Sequence, residues 1–160
     1  MLRVKIICVG KLKEKYLREA SAEYAKRLSA FCKLEIVEIG EEKLPDNPAA
    51  AEIAACLKKE GEKIRREIPA DAYVYTLQIE GRQLSSEALA AHMEKQAVSG
   101  KSTLVFLIGS SFGLEESLKR ESDFPLSFSE MTFPHQLARI MLLEQIYRAF
   151  SINKGTKYHK

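Results

Sequence analysis

Apolar residues recur at two spacings along this chain, and the switch between them divides it into strands and helices. Short runs rich in Val, Ile, Leu and aromatic residues occur at Leu2–Val9, Leu34–Ile39, Ala72–Ile79, Thr103–Ile108 and Pro125–Ser129, each bounded by Gly, Pro or charged residues. Such runs predict buried strands. Between them the spacing lengthens to three or four. Leu17, Ala20, Tyr24, Leu28 and Phe31 share one helical face, and Ile53, Leu57, Ile64 and Ile68 share another after the turn "KLPDNP". "SSEALAAHMEKQAVSG" opens on serines suited to capping and closes at Gly100. A short helix is predicted over Glu115–Ser122. The last helix starts near Pro134, whose fixed φ and missing N–H suit a first helical position, and runs to about Ile152.

This alternation predicts an α/β fold, with a mostly parallel sheet and helices on both faces. At 160 residues the chain is read as one domain, 1–160, with Gly40–Pro48 as an internal connection. Composition then works by exclusion. The net charge is only +3, so any nucleic-acid footprint must come from where the cations sit. Arg3 and Lys5 interrupt "MLRVKIICVG", which reads as a strand rather than a signal peptide. Apolar runs such as Leu104–Ile108 are too short to span a bilayer. A cytoplasmic protein without a membrane partner is expected. Cys8, Cys32 and Cys56 are odd in number and lack CxxC spacing, which favours reduced buried thiols. Neither HExxH nor paired histidines occur, so no metal is expected.

In an open parallel sheet, ligands bind beyond the carboxyl ends of the strands. Those ends carry "GKLKEK", "QIEGR", "IGSSFG" and "SEMTFPHQ", with glycines at 81, 109 and 113 that let backbone approach a ligand. "GSSFG" matches neither GxGxxG nor GxxxxGK[ST], which disfavours NAD and ATP, and no GxSxG elbow is present. A ligand with an apolar body and no phosphate suits these loops better. Leu77, Phe128, Met131 and Phe133 could clasp an adenine-sized ring while backbone amides hold its edge. The same residues read equally as a tight strand–helix junction and core aromatics, and spacing alone does not decide.

"VGKLKEKY", "TLQIEGRQLSSE", "FLIGSSFGL", "LSFSEMTFPHQLARIMLLEQIYRAF" and the final "YHK" together do. Over essentially its full length the chain resembles the SPOUT-class family of ribosomal RNA large subunit methyltransferase H. The resemblance implies a trefoil knot, roughly within residues 70–160, which is an exception to the usual topology rules. It also implies a homodimer that uses S-adenosylmethionine to methylate N3 of a pseudouridine in large-subunit ribosomal RNA, and not DNA. Carried over by position, the cofactor contacts fall on Leu77, Gly109, Phe128, Ser129, Glu130, Met131, Thr132 and Phe133. One departure stands out: the family usually has a second glycine where this chain has Ser110. If that position needs φ > 0, serine strains it.

An imide nitrogen must lose its proton to accept a methyl group, so a base or cation is expected nearby. His135 is the first candidate, and it equally suits a helix cap. Arg139, one turn later, suits RNA phosphate, a partner subunit or plain solvent. His92 falls on a polar helix face and is read as solvated. The last helix is apolar nearly all round, which fits either central core or a subunit interface, with Leu142 and Ile146 expected to hold a dimer. Glu144 and Arg148 form an i,i+4 pair. Lys11, Lys13 and Lys15 cluster after the first strand. Lys154, Lys157 and Lys160 accompany the tail, where Tyr158 can stack on a base, His159 can handle a proton and Lys160 can meet phosphate. The last helix travels about 27 Å away from the loop, so in a dimer the tail would complete the neighbour's site. The rival readings are a knotted methyltransferase acting on transfer RNA and a non-catalytic RNA- or ribosome-binding module.

Overall fold

The computed structural model describes residues 1–160. Strands and helices alternate: β1 (Arg3–Val9), α1 (Lys15–Leu28), β2 (Lys33–Ile39), α2 (Ala50–Glu67), β3 (Tyr73–Gln83), α3 (Ser86–Val98), β4 (Thr103–Ile108), α4 (Glu116–Glu121), β5 (Phe124–Ser127) and α5 (His135–Lys154). All strand pairs are parallel, in the order β2-β1-β4-β3-β5.

Side chains of a strand alternate between faces. Val4, Ile6 and Cys8 of β1, with Leu104, Phe106 and Ile108 of β4, pack with residues of α1, α3 and α5. Ile7, Val9, Val105 and Leu107 pack with Ile64 of α2 and Leu118 of α4. Because both faces are covered, every residue of β4 is buried, and the strand reads as one continuous apolar run.

β3 runs further than the apolar pattern predicts. It pairs with β5 at Leu77↔Leu126 and again at Arg82↔Leu126, so residues 78–81 bulge out of the ladder. Gln78, Glu80 and Gly81 break the apolar run within the bulge, which is why the sequence pattern stops at Ile79. α5 begins at His135, with Pro134 one place outside as its N-cap, and no side chain caps it. His135 is therefore not a capping residue.

Three expectations are corrected by burial. Leu142 and Ile146 are 0% exposed within the protomer's own core, so they are not at a subunit interface. Each contributes about 1.5–3 kcal/mol of apolar burial to the fold of one chain. His92 is not solvated; its Nδ1 meets the Tyr75 hydroxyl at 2.8 Å, and its ring lies 4.5 Å from that of Phe124. Desolvation holds its pKa below the ordinary imidazole value. Arg139 is 2% exposed and reaches neither solvent nor phosphate. It donates to Glu38 Oε2 at 2.7 Å and to the Gly10 carbonyl at 3.1 Å, tying α5 to the ends of β1 and β2. The three cysteines are free and buried, as expected, and burial pushes the Cys8 thiol up to about 12.

Candidate functional site

Beyond the carboxyl ends of β3, β4 and β5 lies a cavity of about 680 Å³, within the size range of small-molecule sites. Three segments wall it. The first is the 78–81 bulge of β3, fastened to β5 where the Ser127 hydroxyl donates to the Ile79 carbonyl at 2.8 Å. The second is the turn after β4, closed by Gly113 N–H to Ser110 O at 2.8 Å. The third is the loop from Phe128 to Pro134, braced where the Ser129 hydroxyl accepts from Met131 N–H at 3.0 Å.

The β4 turn explains its glycines. A Cβ on Gly109 would collide with the Gly113 carbonyl, so the close approach here is of the turn to itself. Gly113 takes φ +86°. No non-glycine residue has positive φ, so Ser110 carries none of the strain expected of it.

Leu77, Gly109, Phe128, Ser129, Met131, Thr132 and Phe133 all line the cavity. Glu130 does not; it is exposed and outside the lining, so the structure separates it from the other residues carried over by position. His135 is in the wall. Tyr158, His159 and Lys160 are not. The tail is folded back on its own helices: Tyr158 OH donates to Glu144 Oε2 at 2.6 Å, and Arg148 Nη1 lies 3.0 Å from His159 Nδ1. His159 Nε2 meets Glu87 Oε1 of α3 at 2.6 Å. The Glu144 carboxylate raises the Tyr158 pKa to about 12, which keeps the phenol protonated. The predicted Glu144–Arg148 pair is present at 2.7 Å and serves as the tail's mooring.

Sequence reading missed two features. Glu80 and Lys119 form a 3.0 Å ion pair in the cavity wall, joining the β3 bulge to α4 across 39 residues that no local pattern connects. Glu60 of α2 is 2% exposed, with one oxygen unpartnered and the other accepting from Glu42 N–H at 3.2 Å. Burial raises its pKa, and the bond from Glu42 N–H opposes the rise. An acidic residue at a polar-looking helical position gives no one-dimensional sign of this.

On the rim, Lys13 N–H donates to Gln136 Oε1 at 2.9 Å, and Arg18 Nη1 donates to Lys13 O at 2.6 Å. Both bonds fasten the lysine-bearing connector beside the start of α5, leaving Lys11, Lys13 and Lys15 exposed. Ile79, Phe112 and Met131 of the wall are exposed by 47%, 47% and 72%. No group of three or more His, Cys, Asp or Glu side chains is arranged to hold a metal ion, and no helix is long and apolar enough to cross a membrane.

Known proteins align with this chain end to end. A Bifidobacterium adolescentis protein named ribosomal RNA large subunit methyltransferase H is 50% identical over 159 residues, covering 99% of this chain and 100% of the relative. Proteins of Methanococcus vannielii and Methanococcus maripaludis, which carry that name provisionally, are 51% and 49% identical with the same coverage. The family profile described as "Predicted SPOUT methyltransferase" matches residues 2–159, and the chain belongs to the SPOUT methyltransferase family.

Proposed function

We propose that this protein transfers a methyl group from S-adenosylmethionine to N3 of a pseudouridine in large-subunit ribosomal RNA. The observation that carries the reading is the cavity beyond the carboxyl ends of β3, β4 and β5, whose lining is apolar and poor in cations. Its only ionisable side chains are Glu80, Lys119 and His135, while Leu77, Phe128, Met131 and Phe133 supply apolar walls. Such a lining suits a nucleoside with a sulfonium and disfavours a polyphosphate. The methyl donor brings its own electrophile, so the chain's residues need only bind it, orient the acceptor and receive a proton. Phe128, Met131 and Phe133 would pack the adenine, and backbone groups of Gly109 and the 129–132 loop would fix its edge.

The acceptor is read as ribosomal RNA from the printed names of the relatives, and the exposed Lys11–Lys15 connector on the rim offers cations for its phosphates. The protein acts as a cytoplasmic homodimer: exposed apolar side chains at the cavity mouth are of the kind a second protomer covers. The tail, outside its own cavity, then serves the neighbouring one. Within a single domain the chain from about residue 70 onward is knotted, a reading that rests on membership of the family.

Calorimetry with S-adenosylmethionine and nucleoside mass spectrometry of RNA from a deletion strain test this together. A missing methylpseudouridine in ribosomal RNA is expected. A missing methyl group in transfer RNA would move the substrate, and no cofactor binding at millimolar concentration would leave an RNA-binding module.

A further inference from the structure

Resting on that reading, we propose that Glu41, on the connector between β2 and α2, positions His135 as the group that takes the N3 proton. The transfer needs such an acceptor. As the bond from N3 to the methyl carbon forms, the bond from sulfur to that carbon breaks. Its electron pair stays on sulfur, leaving a neutral thioether, and the imide proton must leave for a base.

Two of the three ionisable side chains in the cavity wall are already engaged, since Lys119 and Glu80 hold each other at 3.0 Å. His135 is the third. Its Nε2 is shielded from solvent and has no hydrogen-bond partner. The one carboxylate facing it is Glu41 Oε1 at 3.8 Å, and Glu41 has no other ion-pair partner. Side chains of this kind often sit slightly apart before substrate arrives and tighten in the complex.

The corner is built to hold the pair. The Glu41 carboxylate packs over Gly10, whose φ of +95° lets the chain turn closely beneath it. Arg139 grips the Gly10 carbonyl and Glu38, tying the ends of β1 and β2 to α5 one turn beyond His135. The charged groups around the imidazole are thus Glu41, the Arg139–Glu38 pair, Lys13 on the connector fastened to Gln136, and buried Glu60 behind Glu41. Only Glu41 meets the ring. Once the 3.8 Å gap closes, Nε2–H donates to Glu41 and Nδ1 is left to accept the proton, and the carboxylate then stabilises the imidazolium until solvent takes the proton away. Glu41 is a positioning residue, because it acts through His135.

The test uses the full-length protein, S-adenosylmethionine and large ribosomal subunits. His135→Asn should lower kcat by about 10²–10⁴, the usual range for general base catalysis. Glu41→Ala should lower kcat by about tenfold or more with KM for both substrates unchanged, and Glu41→Asp should recover part of the loss. In the complex with S-adenosylmethionine, where the 3.8 Å gap is expected to close, ¹⁵N-resolved spectra should show a protected His135 Nε2–H resonance that disappears in Glu41→Ala. Cofactor affinity by calorimetry should stay within a few fold throughout. Because Glu41 is half exposed, its alanine variant keeps the fold; an unchanged kcat or an unchanged ring resonance in it overturns the proposal. Failure of the wild-type protein to bind S-adenosylmethionine would instead strike the functional reading beneath it.

Discussion

The two ends of α5 are built in opposite ways. At its start, the loop from Phe128 to Pro134 carries exposed Glu130, Met131 and Thr132, and no side chain caps the first turn. At its end, the tail is held by Glu144, Arg148 and Glu87, with the Tyr158 ring 4.7 Å from that of Tyr147. One end leaves polar groups and apolar surface for something else to satisfy. The other satisfies its own. The contrast teaches that the first end has groups free to meet a ligand, whereas the second must give up existing bonds before it can touch anything else.

The severest way to break the comparison is to remove the rod between the two ends. Leu142→Glu places a charge at a 0% exposed site and should unfold the protomer, seen as loss of cooperative thermal melting rather than as a folded monomer. Next comes deletion of Tyr158–Lys160, which should cut methyl transfer by about 10² or more while calorimetric affinity for S-adenosylmethionine changes only a few fold. Normal turnover in that variant would make the moored tail merely structural. Gly109→Val acts at the first end: its side chain meets the Gly113 carbonyl, so the turn must shift. Cofactor affinity should fall more than about tenfold, with a stability loss of about 1–3 kcal/mol.

Glu144→Gln sharpens the contrast more gently. It weakens the bonds to Tyr158 and Arg148, and should speed hydrogen exchange over residues 156–160 without altering cofactor binding. The smallest effect is at Glu60. Burial raises its folded pKa, so ionising it penalises the fold; the penalty is absent below the ordinary carboxylate range and grows as pH rises through it. Glu60→Gln should therefore melt higher than wild type at about pH 8, and the two should converge near pH 4. A melting difference independent of pH would show that Glu60 is not buried as a carboxylate.

Strand and helix positions were legible because a parallel sheet covered on both faces must be written in apolar runs, as Thr103–Ile108 is. The cavity was half legible. "SEMTFPHQ" and "IGSSFG" mark strand ends, and strand ends are where such sheets bind ligands. Hidden from the sequence were the pairings that join distant residues: Arg139 to Glu38, Glu80 to Lys119, and His92 to Tyr75. His92 reads as solvated because Lys95 and Gln96 follow it one turn later on the same helical face, yet the aromatic wall it meets comes from β3 and β5. Arginine at position 139 reads as a surface residue because its own charge is the only local signal, and Glu38 lies 101 residues away. Periodicity reports which face a residue occupies and says nothing of what the fold brings to it.

The pairing of β1 with β4 has a consequence for how the chain is made. Arg3 of β1 lies beside Thr103 of β4, a partner about 100 residues later. At synthesis rates of about 5–20 residues per second, the first strand waits roughly 5–20 s for its neighbour. β2 can pair one edge of β1 early, since it begins at Lys33, but the other edge stays open. During that interval an apolar strand bound for the core is available to any other nascent chain. Arg3 and Lys5 sit within it, and charges in such a strand discourage edge-to-edge pairing. In the finished protein Lys5 is put to a second use, bonding Glu67 at 3.1 Å. Fragments that end before β4 should aggregate on release, however soluble the whole protein is.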